Sequence, residues 1–280
     1  MHCAALSIQG KVRELGSGDS VMNQEERRRF LIEELLRERP SCRCQEIPAD
    51  PGRQRVLLRG LMNVRHPAVI SRRFLEIQDA YLQEELAAKK VTKLSDLQPV
   101  QEGIYLWRGD ITTLECGAIV NAANSGMTGC YQPCHNCIDN CIHTYAGVQL
   151  RLKCAELMER QGYAEPTGRA RITPAYNLPC VYVIHTVGPI VQGKLTRQHC
   201  ELLKSCYRSC LALADETLVS SIAFCCISTG VFMFPNDKAA EIAVRTVQEY
   251  KAETGSKIEV IFNVFREQDE RIYRKLLRAD

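Results

Sequence analysis

The apolar residues in the first third of the chain recur at helical spacing. In the first segment they are Leu31, Leu35 and Leu36, which would form one stripe along a helix. The predicted helices of this part are 22–39, 53–64 and 71–89. The pattern therefore predicts an N-terminal helical region over residues 22–95, and we expect residues 1–21 to be a disordered extension.

From residue 104 onward, short apolar runs alternate with helical patterns. The predicted strands are 104–107, 118–120, 170–173, 181–187, 221–227 and 257–264. The predicted helices are 137–160, with a break near Gly147, and 196–214, 236–254 and 268–277. Strands that alternate with helices are typical of a sheet covered on both faces. This pattern predicts an α/β domain over residues 100–280.

Composition and charge exclude several classes of partner. The chain has 45% hydrophobic and 25% charged residues, and its formal net charge of +3 is too small to indicate nucleic-acid binding. No apolar run approaches the roughly 20 residues that span a bilayer, so we expect no membrane partner. Fifteen cysteines, an odd number without a secretory signal pattern, are expected to be reduced, which favours a cytoplasmic location.

The richest chemistry lies in residues 129–143, which contain four cysteines, two histidines and an aspartate. Cys130, His135 and Cys137 form a C-x4-H-x-C array, and thiolate and imidazole are the ligands that zinc prefers. Three protein ligands are typical of catalytic zinc, whereas a fourth from Cys134 would make the site structural. Further candidate ligands are Cys134, Cys141 and His143. Reduced cysteines without a metal are the alternative interpretation at this point.

Polar residues follow several of the predicted strands. Asn121 and Asn124 come after a buried strand, although an asparagine there can simply cap a helix or bridge a loop. Asp110 fits an ordinary helix N-cap. The loop that begins at 228–230 could cradle a phosphate with its backbone N–H groups. His185 lies within a strand, which favours a hydrogen-bonded core histidine.

Taken together, these motifs resemble the macrodomain family. The matching segments are 109–112, 121–125, 138–147, 167–168, 172–179, 183–189 and 227–232. The resemblance covers about residues 104–277 and implies a three-layer α/β/α fold with a mixed central sheet, here with an N-terminal helical extension. In most macrodomains of the hydrolase type a run of glycines follows the asparagine motif. This chain has cysteines and a histidine there, which resembles the zinc-containing branch found in some microbes.

The resemblance implies roles for the residues that match the family's ligand pocket. Asp110, with Ile111 beside it, would accept a hydrogen bond from the adenine amino group. Asn124 would bind the distal ribose and take part in catalysis, and Asn121 would belong to the same ligand-binding set. Asp139 would orient or activate the attacking water.

The resemblance also implies a diphosphate loop and a metal site. The residues expected to wrap the diphosphate are Ser228, Thr229, Gly230, Val231 and Phe232. Phe232 would in addition pack against the distal ribose. Cys130, His135 and Cys137 would hold one zinc ion near that ribose.

The function implied is a zinc-dependent hydrolase that removes mono-ADP-ribose from Asp and Glu side chains, cleaving the ester at the anomeric carbon of the distal ribose. Its partners would be ADP-ribose and a mono-ADP-ribosylated protein, and we expect a functional pairing with an ADP-ribosyltransferase. The alternatives are a non-catalytic reader of ADP-ribose and a deacetylase of O-acetyl-ADP-ribose. The metal-ligand loop with Asp139 favours the hydrolase, because a reader has no need of it.

Overall fold

The computed structural model describes residues 22–39 and 46–279, so the extension predicted at 1–21 lies outside the described residues. The helices are α1 (Gln24–Arg37), α2 (Pro51–Val64), α3 (Arg72–Ala87), α4 (Ile138–Ala146), α5 (Val148–Gln161), α6 (Arg197–Glu216), α7 (Asn236–Thr254) and α8 (Glu267–Leu277). The strands are β1 (Thr92–Lys93), β2 (Pro99–Gln101), β3 (Ile104–Arg108), β4 (Leu114–Glu115), β5 (Ala118–Ala123), β6 (Ala170–Pro174), β7 (Tyr182–Val187), β8 (Ser221–Phe224) and β9 (Glu259–Val264). No helix in the part of the chain that the structure describes is both long and apolar enough to cross a membrane.

Seven strands form the central sheet in the order β2-β3-β9-β8-β5-β7-β6. The five inner strands pair in parallel, whereas β2 and β6 pair antiparallel to β3 and β7 at the two edges. Helices flank the sheet, with α6, α7 and α8 packed side by side and α4 and α5 in a second group. The predicted three-layer α/β/α fold with a mixed central sheet is confirmed.

The inner strands are buried, as their nearly continuous apolar runs predict for a parallel sheet. Ile119, Val183 and Ile261 are fully inaccessible to solvent. Because the inner strands are parallel, their carboxyl ends meet at one edge of the sheet, the usual position of a ligand site in an α/β fold. This edge collects the loops that carry the predicted site residues.

Strand β5 continues beyond the predicted end at residue 120, as far as Ala123. The extension has a tertiary cause: β7 pairs alongside it, so that Asn121 lies opposite His185. The predicted break of the long helix near Gly147 is present, because Gly147 has a φ of 98° and separates α4 from α5. The short strands β1, β2 and β4 were not predicted.

The N-terminal helices enclose a small apolar core of their own. Its fully buried side chains are Leu31, Ile32 and Phe74. Val148 of α5 belongs to the same cluster, and Asn177 Nδ2 donates to Asp79 Oδ1 of α3 over 2.7 Å. Strand β1, just after α3, pairs with β4. The helical region therefore packs against the α/β domain through shared core and polar contacts.

Candidate active site

A buried carboxylate lies at the centre of the site. Asp139 is in the first turn of α4 and is only 5% exposed. Asn121 Nδ2 donates to Asp139 Oδ1 over 2.8 Å, and Asn124 Nδ2 donates to Asp139 Oδ2 over 3.3 Å. The two asparagines of the 121–125 motif therefore orient one carboxylate.

The electrostatics of Asp139 combine opposing effects. Burial raises its pKa to about 6, while the hydrogen bond from Asn121, the charge of Arg151 and the hydrogen bond from Asn124 all favour the ionised form. The start of a helix also favours a negative charge. His143 Nε2 lies 3.6 Å from Asp139 Oδ1, but burial lowers the pKa of His143 well below its usual range. His143 is therefore a neutral neighbour.

Three predicted metal ligands converge just before Asp139. Single ligand atoms of Cys130, His135 and Cys137 all lie within 4.8 Å of one another. All three residues are half-buried, so the cluster is partly exposed to solvent. Cys137 is also the N-cap of α4, and its Sγ accepts from the backbone N–H of Asn140 over 3.5 Å.

The donor set and its spacing fit a zinc ion. Cys130 Sγ and His135 Nδ1 are 3.6 Å apart. Tetrahedral zinc with bonds of about 2.3 Å to sulfur and about 2.0 Å to nitrogen would hold these atoms about 3.5 Å apart. Burial, together with the nearby Cys130 and Asp139, raises the pKa of Cys137 to about 12 against a backbone hydrogen bond from Asn140. A dication bound here would favour the thiolate that this environment otherwise disfavours.

The other candidate ligands are turned elsewhere. Cys134 has a φ of 54°, and its thiol contacts the carbonyl oxygen of Val56 at 3.4 Å. Cys141 Sγ lies 3.7 Å from Nη2 of Arg59. Within the described residues neither of these cysteines joins a cluster that could hold a metal. The structural-zinc interpretation, which needed Cys134 as a fourth ligand, therefore lacks its ligand in this geometry.

A second group of Cys and His side chains lies deeper, formed by His143, Cys154 and His185. His185 has a partner at each ring nitrogen: Asn121 Nδ2 lies 3.1 Å from Nδ1, and Thr173 Oγ1 lies 2.9 Å from Nε2. Burial lowers the pKa of His185 to about 3, so its ring is neutral. It is a hydrogen-bonded core histidine, and it supports Asn121, which in turn holds Asp139.

The predicted diphosphate loop follows β8 at the same edge of the sheet. Ser228 has a φ of 66°, a conformation that is uncommon for residues other than glycine and is often found at functional sites. A Cβ at Gly188 would lie 2.1 Å from Ser228 Oγ, so the bare glycine leaves room for this side chain. The backbone N–H of Phe234 donates to the Ser228 carbonyl over 3.0 Å and closes the loop.

Asp110 caps a 3-10 turn after β3, as its N-cap interpretation predicted. Its Oδ1 accepts from the backbone N–H of Thr112 over 3.0 Å and from Thr112 Oγ1 over 2.6 Å. Ile111 beside it is buried. Both bonds use Oδ1, so they leave the second carboxylate oxygen, Oδ2, out of the turn.

Sequence reasoning did not single out Arg151, although it is a buried charge beside the site. The guanidinium is 4.3 Å from the centre of the Tyr131 ring, and Nη1 donates to the carbonyl of Asn63 over 2.6 Å. The sequence feature that could have indicated a buried Arg151 is its position three residues before Cys154, on the apolar side of a predicted helix.

Comparisons with known proteins show what the chain is similar to. Residues 120–243 match the sequence profile of the Macro domain family. A protein-ADP-ribose hydrolase of Treponema medium is 61% identical over 260 residues, 91% of this chain and 100% of that protein. A protein-ADP-ribose hydrolase of Staphylococcus aureus (strain MRSA252) is 48% identical over 264 residues, 94% of this chain and 99% of its own.

The chain is also similar to solved structures of macrodomains, at lower sequence identity. The Trypanosoma brucei macrodomain in complex with ADP-ribose is 30% identical with a TM-score of 0.61, over 81% of this chain and 96% of that one. The Oceanobacillus iheyensis macrodomain with ADP is 35% identical with a TM-score of 0.58, over 65% of this chain and 94% of that one.

Proposed function

The chain belongs to the macrodomain family, and from that premise we propose that it is a protein-ADP-ribose hydrolase that depends on zinc and acts on acidic side chains. Two relatives that cover most of the chain carry the name protein-ADP-ribose hydrolase, which supports the removal of ADP-ribose from proteins. Zinc dependence and action on acidic side chains are proposed mainly from the position of Asp139. Two asparagines hold this carboxylate, and the Cys130, His135 and Cys137 cluster directly precedes it.

The residues suit hydrolysis of a glycosyl ester. ADP-ribose on an Asp or Glu side chain is an ester at the anomeric carbon of the distal ribose, and its leaving group is a carboxylate. Loss of that group develops positive charge on the ribose, so catalysis needs a positioned water and charge stabilisation more than a strong acid. Asp139 would orient the water and accept its proton, because its pKa of about 6 leaves it ionised at neutral pH.

The asparagines and the metal ligands would have separate tasks. Asn121 and Asn124 keep the Asp139 carboxylate in one orientation, which lowers the reorganisation needed during the reaction. Cys130, His135 and Cys137 would hold the zinc. When bound, zinc supplies Lewis-acid polarisation of a ribose hydroxyl, of the leaving carboxylate or of a water.

Metal removal tests this proposal directly. We expect the purified chain to contain close to one zinc ion, and we expect chelation to abolish release of ADP-ribose from a glutamate-modified protein. Adding zinc back should restore the rate. Zinc content would be measured by atomic absorption and turnover by chromatography of released ADP-ribose. Full turnover in zinc-free protein would contradict zinc dependence.

The same preparations distinguish the alternatives. A reader would bind ADP-ribose in calorimetry and release nothing from any modified protein. A deacetylase would act on O-acetyl-ADP-ribose faster than on the modified protein. A substrate modified on arginine tests the acidic-side-chain specificity, because its N-glycosidic bond has a much poorer leaving group. Comparable rates on the glutamate and arginine substrates would contradict that specificity.

A glycine substitution tests the diphosphate loop. Gly188→Ala would place a methyl group against Ser228 Oγ and force the loop to move. Overpacking of this kind costs about 1–3 kcal/mol, so we expect the Kd for ADP-ribose to rise about fivefold or more. Calorimetry with ADP-ribose measures the effect.

The matched control is Gly60→Ala in α2. Its Cβ would meet Cys134 Sγ and Pro133 Cβ at 3.8 Å, which is ordinary van der Waals contact. We expect this variant to bind ADP-ribose as the unmodified chain does. Unchanged affinity in Gly188→Ala would remove the loop at 228–232 from the ligand site.

A further inference from the structure

We propose that helix α2 of the N-terminal region is part of the metal site, and that Arg59 and Asn63 are positioning residues for its ligands. The inference rests on the proposed function, because it concerns the zinc that Cys130, His135 and Cys137 would hold. It assigns a task to a region in which the sequence pattern identified none. The evidence lies in the contacts between α2 and the segment 130–137, which we call the metal loop.

Arg59 contacts the metal loop at one of its ligands. Its Nη2 donates to the backbone carbonyl of His135 over 2.8 Å and to Asn140 Oδ1 over 3.1 Å. Asn140 Nδ2 in turn donates to the carbonyl of Gln132 over 3.0 Å. The Arg59 guanidinium therefore fixes the backbone carbonyl of His135. It also fixes the side chain of Asn140, which in turn supports the loop at Gln132.

Asn63 holds the loop one helical turn further along α2. Its Oδ1 accepts from the backbone N–H of Cys134 over 2.9 Å, and its Nδ2 donates to Thr144 Oγ1 of α4 over 2.9 Å. Asn63 is 1% exposed, so an unpartnered amide here would be unfavourable. Val56, on the same side of the helix, accepts a hydrogen bond from the Cys134 thiol. Three positions at helical spacing thus contact one face of the loop.

The loop needs such support because its own backbone is strained. Cys134 lies in the left-handed region with a φ of 54°, between ligands Cys130 and His135. A residue without glycine's freedom persists in this region only when its surroundings enforce it. Cys134 is not itself in the metal cluster. The conformation of Cys134 and its hydrogen bond to Asn63 instead determine the direction in which the backbone enters the next residue, His135.

The buried Arg151 contacts both the end of α2 and the start of the metal loop. Arg151 Nη1 donates to the carbonyls of Asn63 and Arg65, each over 2.6 Å. Its Nη2 approaches the carbonyl of Cys130 at 3.5 Å. Cys130 at the start of the metal loop and Cys134 in its middle are thereby both tied to the end of α2. This helix end therefore holds the two parts of the loop in one arrangement.

Zinc affinity of the full chain tests this assignment. Residues that orient metal ligands without binding the metal typically change affinity by 10–100-fold when replaced. We expect Arg59→Met and Asn63→Ala each to raise the zinc Kd by about that factor, measured with zinc alone in competition with a chromophoric chelator. Arg59→Lys keeps one donor for the His135 carbonyl and should recover part of the loss.

Two controls separate this role from a general loss of structure. Arg53→Met changes an exposed arginine of the same helix and should leave the zinc Kd unchanged. Calorimetry should show ADP-ribose affinity retained in zinc-free Arg59→Met, since Asp110 and the loop at 228–232 lie on other elements. Wild-type zinc affinity in both test variants overturns the inference and leaves the proposed function intact. Absence of zinc binding by the unmodified chain overturns both.

Discussion

The Cys137→Ala variant is expected to lose at least about 1,000-fold in the rate of ADP-ribose release from a glutamate-modified protein. Charge stabilisation by a metal is worth several kcal/mol in a transition state, and each 1.4 kcal/mol is about a tenfold change in rate. The variant removes one of the three ligand atoms that lie within 4.8 Å of one another. Zinc content and single-turnover rate are the two measurements, made on the same preparation.

Cys137 also caps α4, so stability must be measured alongside. Loss of the Sγ acceptor for the Asn140 N–H should lower the free energy of unfolding by about 1 kcal/mol. Cys137→Ser supplies a good capping oxygen and should recover that stability without recovering activity. Cys134→Ser, in the same loop but with its thiol turned to Val56, should keep both zinc and activity. A fully active Cys137→Ser enzyme would contradict the metal assignment.

The Asp139→Asn variant is expected to lower kcat by about 100–10,000-fold, the range that a positioned general base contributes. The replacement is nearly isosteric and keeps an oxygen that can accept from Asn121 or Asn124. It removes the negative charge that would receive the proton of water. We therefore expect the Kd for ADP-ribose to change little and the zinc content to stay near that of the unmodified chain.

The matched control for the kinetic effect of Asp139→Asn is the Asp215→Asn variant. Asp215 also accepts two side-chain hydrogen bonds, from Tyr250 at 2.7 Å and from Ser256 at 2.8 Å, but it lies at the end of α6. That variant should keep its kcat even if it is less stable. An Asp139→Asn enzyme with near-normal kcat would move the role of base to another group. A large rise in Kd would indicate that Asp139 binds ligand instead.

Local patterns located most of the secondary structure of the chain. The break at Gly147 was readable because a single glycine interrupts an otherwise helical pattern. The short strands β1 and β2 could not be predicted, since strands of two and three residues are too short to show alternation. The end of β5 was misplaced for a different reason: its last three residues are strand only because β7 pairs with them.

The sequence by itself determined the family and the set of chemical groups at the site, because motif order and residue type are carried by the chain alone. Spacing alone left Cys134 as a possible fourth ligand beside Cys130, His135 and Cys137, since spacing does not fix the direction of a side chain, and only the resemblance favoured the other three. The tertiary structure separated them: α2 holds Cys134 in a left-handed conformation and turns its thiol away. The tertiary structure also brings His185, which is 64 residues further along the chain, into contact with the side chain of Asn121. Such contacts depend on packing between distant segments, which no local pattern encodes.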